Sequence, residues 1–491
     1  MVRLLDNLTG LFRRDNKSVN AQSTNFRRGH QRHGQNMFLR GRFDAAQTTH
    51  DNQKHWAAAD GFSADMAASP EVRRQLRQRS RYEVANNSYA RGIVLTIAND
   101  TIGTGPRLQM LGEDADLNRE IEHEFTAWAT VVNLAEKLRT MRMARCQDGE
   151  SFAVLAANPA INHTIKMDVQ LIEADRVTSD LSFSSKSDEI DGIKLDSYGN
   201  PVSYRVTKYH PGGSQLDYDS KVNVLPANSV IHCYRSDRPE LHRGIPEITP
   251  ALPLFAQLRR FTLAVITAAE SAANFAGILY TDAPASGEAD SVEPMDLIEL
   301  ERNMLLTMPG GWKMSQLHPE QPATGYAEFK KEILNEIARC LNMPFNIAAG
   351  NSSGYNYSSG RLDHQTYYKA IHVDQAFLAT TVLDRILHVW LSEYLTFRNH
   401  LVDLTLPVHQ WFWDGMEHVD PYKEANAQRL RLENNTTTLA YEYARQGRDW
   451  EEELQQRARE KNICRELGLS VDETQTKTPT ETPIEEDKDD E

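Results

Sequence analysis

Apolar residues recur at three- and four-residue spacing from Ala251 to Ala276 (ALPLFAQLRRFTLAVITAAESAANFA), at Leu254, Leu258, Phe261, Val265, Ala268 or Ala269, Ala272 and Phe275. That spacing is the period of an α-helix with one buried face. Pro246, Pro250 and Pro253 cluster at its start, where a helix tolerates proline because its first amides have no internal acceptor. At about 1.5 Å per residue the run makes a rod of roughly 39 Å. Arg259, Arg260, Glu270 and Asn274 interrupt it too often for a membrane span, which needs about 20 nearly unbroken apolar residues. Small side chains at Ala264, Ala268, Ala269, Ala272, Ala273 and Ala276 form a band along its second half. The run reads either as an ordinary buried helix or as a helix packed against copies of itself.

A second helical pattern spans Glu328 to Leu341, with Phe329, Ile333, Leu334, Ile337 and Leu341 on one face. Between the two runs, Gly277 to Thr324 holds strand-like pieces (Gly277 to Thr281, Leu305 to Met308) and an acidic stretch around Glu288 to Glu301. A helix goes out, a small module follows, and a helix comes back.

Elsewhere the pattern predicts helices and strands in alternation. Ser69 and Pro70 open a basic helix that leads to an apolar one, a turn at Gly103-Thr104-Gly105-Pro106 and a strand. Arg77, Arg79 and Arg81 read as a solvated face of that helix rather than a phosphate site. Asp116 to Arg139 reads as one amphipathic helix carrying Phe125, Trp128 and Leu134. Strands are expected at Ser151 to Ala156, Met167 to Ile172, Ile190 to Leu195, Val202 to Tyr209 and Val230 to Tyr234. Pro344 to Gly360 is a polar loop, followed by a helical pattern from about Leu362 to Tyr394. Leu404 to Trp413 resembles an edge strand whose Trp411 and Trp413 form a packing cluster. Pro421 to Glu433, Thr438 to Gln446 and Asp449 to Leu467 are three short helices. The class is α+β and helix-rich.

Composition adds bounds. A chain of 491 residues holds two or three sizeable cores. Its formal charge of −15 is uneven. Residues 1–100 carry 16 Lys and Arg against 9 Asp and Glu, whereas the last 21 residues carry 2 against 9. A basic head and an acidic tail read as interaction segments, and a short helix is expected at Val2 to Phe12. Neither end shows an apolar signal-peptide core, so the chain is expected to stay in the cell. Cys146, Cys233, Cys340 and Cys464 stand far apart, without the spacing of a zinc site or disulfide framework, and read as reduced, buried thiols.

Chemical motifs are sparse. A P-loop, an HExxH helix and a nucleophile elbow are all missing from the sequence. Asp148 and Glu150 in QDGESF, with Glu173 and Asp175 in LIEADRV, are the one carboxylate set on strands. They could hold magnesium for phosphodiester cleavage, or they close turns and pair with arginines such as Arg145 and Arg176. The scattered histidines read as satisfied core or surface groups. No catalytic residue, metal or cofactor is expected.

Several motifs in order make the chain similar to the lambda-type portal proteins of tailed phages. They are RSRYEVANN and GIVLTIANDTIGTGPRLQ (Arg79 to Gln109), DGESF (Asp148 to Phe152), LIEADRV (Leu171 to Val177) and DGIKLDSYGNPVSYRV (Asp191 to Val206). LPANSVIHCY, RPELHRGIP, NYSSGRL, HVDPYKEA and GRDWEEELQQRARE follow, the last ending at Glu460. Where such proteins often carry Pro-Gly-Gln, this chain has Pro239-Glu240-Leu241, and the N-terminus does not match.

The resemblance implies a ring of about twelve copies at one capsid vertex, assembled in the host cytoplasm and carried in the virion. A terminase large subunit drives double-stranded DNA through such a ring, and DNA later leaves by the same path. Major capsid, scaffold and head-completion or adaptor proteins are the other implied partners, with no membrane. The implied layout is an N-terminal basic arm (1–60), a wing (61–250 and 360–420), stem helices (251–275 and 325–343), a clip (276–324), a tunnel loop (344–359), a crown (421–470) and an acidic tail (471–491). Stem packing falls to Ala264, Ala268, Ala272 and Ala276. Weak, sequence-independent DNA contact falls to Lys330, Lys331, Asn351, Tyr355, Asn356, Tyr357, Ser358 and Ser359. Two other readings stay open: a metal-dependent nuclease or phosphodiesterase built on the strand carboxylates, and a capsid-associated scaffold or adaptor binding DNA through its basic head.

Overall fold

The computed structural model describes residues 49–50, 52–179, 189–213, 222–274, 278–281, 312–315, 323–354, 357–398, 406–415 and 421–469. The chain divides into two compact units, residues 1–61 and 62–491. Described residues of the first form turns, one of them closed by the Thr49 amide on Asn52 at 2.7 Å. The Val2 to Phe12 helix, the piece at Leu305 to Met308, the acidic stretch and the acidic tail lie outside the described residues.

The second unit opens with α1 (Ala64–Ala67), α2 (Pro70–Asn86) and α3 (Ser88–Ile102). Ser69 caps α2 through the Val72 amide, and Asn87 caps α3 through the amides of Tyr89 and Ala90. After β1 (Arg107–Met110) the expected single helix is two, α4 (Ala115–Val131) and α5 (Leu134–Asp148). The break follows from Thr130, Val131 and Val132, three β-branched residues in a row, and from Asn133 at φ 55°. Gly149 ends α5 at φ 92°, and a Cβ there would lie 2.4 Å from the Ile245 carbonyl carbon. Only glycine allows that approach.

β2 (Glu150–Ala157) is the centre of an antiparallel sheet between β3 (Met167–Ile172) and, further along, β8 (Val230–Tyr234). Before β8 come β4 (Glu189–Ile190), β5 (Ile193–Leu195), β6 (Pro201–Thr207) and β7 (Val222–Pro226), a second antiparallel sheet in chain order. The single strand expected at Ile190 to Leu195 is a hairpin. Asp191 and Gly192 both take positive φ, 40° and 83°, the twist a two-residue hairpin turn needs.

The chain continues into α6 (Leu252–Asn274), β9 (Ile278–Thr281), β10 (Trp312–Ser315) and α7 (Ala323–Arg339). β9 and β10 pair antiparallel between the helices. The expected polar loop is partly helical: it contains α8 (Phe345–Ala349), and α9 (Tyr357–Leu378) begins inside its last residues. One π-helical turn, Ala379–Leu383, joins α9 to α10 (Asp384–Phe397) in a long rod. β11 (His409–Phe412) returns to pair with β1, and α11 (Pro421–Glu433), α12 (Leu439–Ala444) and α13 (Trp450–Glu466) end the described chain close to their expected bounds.

Two large cores result. In the first, α4, α5 and α10 cover the β3-β2-β8 sheet, with Phe125 5.3 Å from Trp128 and 5.2 Å from Trp390. The buried Trp128 indole donates to the Met167 carbonyl at 2.9 Å, so its one polar atom is satisfied. Trp411 and Trp413 pack against this core as expected. In the second, α3 and α9 receive the foot of α6 (Leu252, Phe255, Leu258) and the end of α7 (Ile333, Leu334, Ile337, Ala338). Among the cysteines, Cys146 and Cys233 are buried thiols, while Cys340 and Cys464 are half-buried.

Candidate functional site

Two places concentrate what the sequence singled out: the carboxylates on β2 and after β3, and the α6–α7 outgrowth. Three of the four carboxylates, Asp148, Glu150 and Asp175, are engaged by arginines, while Glu173 is exposed and meets only His210. Arg73, Arg77 and Arg81 of α2 repeat every four residues, one helical face, and that face turns inward. Glu150 holds Arg77 at 3.0 Å, Arg243 at 2.6 Å and His232 at 3.0 Å. Asp148 takes Arg81 at 2.7 Å, and Asp175 takes both Arg81 at 2.7 Å and Arg77 at 3.2 Å. Arg73 pairs with Asp191, tying the hairpin turn to the same knot. The pairing with arginines is as read from the sequence, but the arginines are Arg77, Arg81 and Arg243 rather than Arg145 and Arg176. The solvated-face reading of Arg77 and Arg81 is thereby corrected, while Arg79 is exposed.

Burial pushes the Glu150 carboxyl up, but the Arg243 guanidinium and the hydrogen bonds of His232 and Arg243 more than reverse it, holding it well below the usual carboxylate range. Burial pushes the His232 imidazole down, against the pull of Glu150. A second knot, missed in the sequence, lies behind α5. Arg142 and Arg145 both grip Glu247, at 2.9 and 2.8 Å, and Asp374, at 2.8 and 2.9 Å. Burial raises the Glu247 carboxyl, yet the two arginines bring it down to about 2. A four-residue arginine repeat on a helix poor in apolar residues was the available signal for the first knot. Arginines three apart on α5 were a weaker one for the second.

Glu173, Asp175 and His210 place one ligand atom each within 4.8 Å, the one such group of His, Cys, Asp and Glu among the described residues. The donor set does not fit a metal. His210 Nδ1 accepts the Gly212 amide at 2.9 Å, so the neutral ring carries its hydrogen on Nε2, which faces Glu173 at 2.9 Å. Asp175 is already shared by two guanidiniums. A cation would have to displace a proton and compete with Arg77 and Arg81. No step of phosphodiester chemistry is built on these carboxylates.

The outgrowth is the opposite case. Phe261 on α6 meets Phe329 and Tyr326 on α7, with centroids 4.4 and 5.8 Å apart, and Thr262 lies 3.3 Å from the Tyr326 hydroxyl. Beyond Leu258 the helix has no fully buried side chain among those described. Leu263 is 56% and Ile266 48% exposed. Ala264 is exposed and Ala268 half-buried. Ala272 lies on α6, and Ala276 lies outside the described residues.

The expected DNA-facing residues fall around the foot of this outgrowth. Lys330 is half-buried, its ammonium 5.1 Å from the Tyr89 ring and 5.9 Å from that of Tyr326. Its hydrogen bond with Tyr89 outweighs burial and raises its pKa. Lys331 is exposed and 5.8 Å from the Phe345 ring. Asn351 is exposed and takes the Ser353 amide at 2.9 Å. Tyr357, Ser358 and Ser359 stand on the first turn of α9, while Tyr355 and Asn356 lie outside the described residues. No helix among the described residues is long and apolar enough to cross a membrane.

Residues 50–375 match the family described as phage portal protein, lambda family. The chain belongs to that family, which is structural rather than enzymatic, and its function is that of a portal. A probable portal protein of Halomonas phage phiHAP-1 (isolate -/Gulf of Mexico/-/2001) is 24% identical over 426 residues, covering 80% of this chain and 81% of the relative. Among solved structures, a chain from the neck of an empty gene transfer agent particle, computed with C6 symmetry, aligns at 16% identity. Its TM-score is 0.47, over 77% of this chain and 94% of its own. A chain from the neck of the native particle, computed with C12 symmetry, aligns at 15% identity and a TM-score of 0.47, with the same coverage.

Proposed function

We propose that copies of this chain close into a ring of about twelve at one vertex of a phage capsid, with α6 and α7 as the stem around a DNA path. A terminase drives double-stranded DNA inward through that ring, and the DNA later leaves by it toward the tail. The module between the stem helices meets terminase and head-completion proteins, the two large cores form the wing, and α11 to α13 form the crown. The observation that carries this reading is the outer half of α6. A 23-residue helix rooted in a core at Leu252, Phe255 and Leu258 leaves Leu263 and Ile266 to water, and a helix of that kind gains by side-by-side packing with copies of itself.

DNA contact is weak and sequence-independent in this reading. With 69 Asp and Glu against 54 Lys and Arg per copy, net repulsion from phosphate opposes the gain from counterion release, so a duplex slides rather than sticks. Lys331, Lys330 and the Asn351 to Ser359 segment are the contacts.

Native mass spectrometry of the purified chain, with negative-stain images of the same material, is the test. The expected result is a ring of about twelve with a central hole wide enough for a duplex. Leu263→Ser with Ile266→Ser should give folded subunits with few rings. Rings that form equally well without those two side chains would remove the stem assignment, and a chain monomeric at every concentration would remove the ring.

A further inference from the structure

Between the end of α7 and the outer face of α9 lies a cleft of about 440 Å3. Four cations, Arg142, Arg235, Arg339 and Lys369, line it against two carboxylates, Glu247 and Asp374. Both carboxylates are already held by Arg142 and Arg145, and Arg235 holds Asp237 at 2.6 Å. Arg339 and Lys369 are exposed, with no ion pair among the described residues. The buried Nε of Arg142 has no hydrogen-bond acceptor. An unsatisfied buried N–H and two unneutralised cations favour a carboxylate arriving from outside.

The surface beside the cleft is also unfinished. Leu362 is 66% and Val373 64% exposed on α9. A second hollow of about 460 Å3 runs along Tyr368, Lys369, His372 and Val373, so Lys369 and Val373 form a ridge between two concavities. Exposed apolar residues interleaved with cations suit a protein partner better than bulk water.

The chemistry of that partner is on the chain itself. Glu328, Glu332 and Glu336 on α7 are exposed at four-residue spacing, without an ion pair among the described residues. Like charges so spaced destabilise a helix slightly; Lys331 and Arg339 stand three residues on from Glu328 and Glu336 but pair with neither among the described residues, so a cation from a neighbour relieves them. Glu328 and Glu336 are eight residues apart, about 12 Å along the helix, and so are Arg361 and Lys369 on α9. A ring of more than two copies closes only through two unlike patches on each copy. Resting on the ring reading above, we infer that the cationic face of α9, with its cleft at Arg339 and Lys369, receives the acidic face of α7 from the next copy.

Charge exchange in the full-length chain tests this. Arg361→Glu with Lys369→Glu, and separately Glu328→Lys with Glu336→Lys, should each lower the fraction of chain in rings at least tenfold at fixed concentration, with the unfolding midpoint of the free subunit unchanged. All four substitutions together should restore rings, because the pairs are then exchanged rather than broken. Rings that survive either reversal, or that the fourfold exchange fails to restore, overturn the inference while leaving the portal reading intact. Reversals at Arg361 and Lys369 that spare rings but reduce the salt dependence of duplex binding would assign the face to phosphate and also overturn it. Wild-type chain that stays monomeric at every concentration would remove the ring reading and this inference together.

Discussion

The arginine knot behind β2 and the α6–α7 outgrowth solve opposite problems with the same chain. In the knot, Arg77, Arg243 and His232 surround one carboxylate, Glu150, and almost every charge finds its partner within the subunit. In the outgrowth, Leu263 and Ile266 are exposed, and Glu328, Glu332 and Glu336 have no ion pair among the described residues. Buried ion pairs fix geometry, because desolvation offsets much of their attraction and leaves orientation as the main gain. An unfinished apolar helix fixes nothing until a neighbour arrives. On the ring reading proposed above, the difference separates what each copy must hold rigid by itself from what copies hold together.

Breaking the knot should have the largest effect. Glu150→Ala leaves Arg77 and Arg243 buried without their shared acceptor and should destabilise the subunit by about 3–5 kcal/mol. Urea unfolding of the variant and the parent measures it. A loss below about 1 kcal/mol would mean that the knot is not what ties α2 to the sheet.

Acid should loosen the second knot next. The folded Glu247 carboxyl lies at about 2, below its ordinary value of 4.5. A group depressed by folding contributes stability that is present above the unfolded value and lost as pH falls through the folded one. The contribution is therefore complete above about pH 5 and declines toward pH 2, on the order of 3 kcal/mol in all. Urea midpoints between pH 7 and pH 2 should fall more steeply for the parent than for Glu247→Gln. Parallel curves would assign the acid sensitivity elsewhere.

Legibility in the sequence followed the same division. α6 and α7 were readable because their apolar periods are long, β3 and β8 because short apolar runs end at strong turn residues, and α11 because Pro421 opens it. The α4–α5 break was hidden, since Val131 and Val132, although β-branched, extend an apolar pattern, and the positive φ of Asn133 leaves no mark in it. The β4–β5 hairpin was hidden in a continuous run, although Asp191-Gly192 carried its turn signal. The first knot was legible as carboxylates paired with arginines but not in which arginines, and the second escaped because pairing across a hundred residues of chain, as between Arg145 and Glu247, leaves no local period. The Pro239-Glu240-Leu241 departure has a local cost: Glu240 takes φ 62°, a conformation glycine adopts more readily.

The smallest effect on stability should come from the lysines at the foot of the outgrowth, and there the two neighbours should part. Lys330 lies against the Tyr89 and Tyr326 rings, so Lys330→Ala should cost about 0.5–1 kcal/mol by removing a cation–π interaction. Lys331 is exposed, and Lys331→Ala should change unfolding by less than about 0.5 kcal/mol. Its effect should appear only against DNA. A side chain that neutralises one phosphate adds about 0.9 to the slope of log affinity against log salt, so titrations of duplex at several salt concentrations separate a DNA-binding lysine from a bystander. An unchanged slope for Lys331→Ala would take Lys331 out of the DNA path and leave Lys330 and the Asn351 to Ser359 segment as the contacts to be tested next.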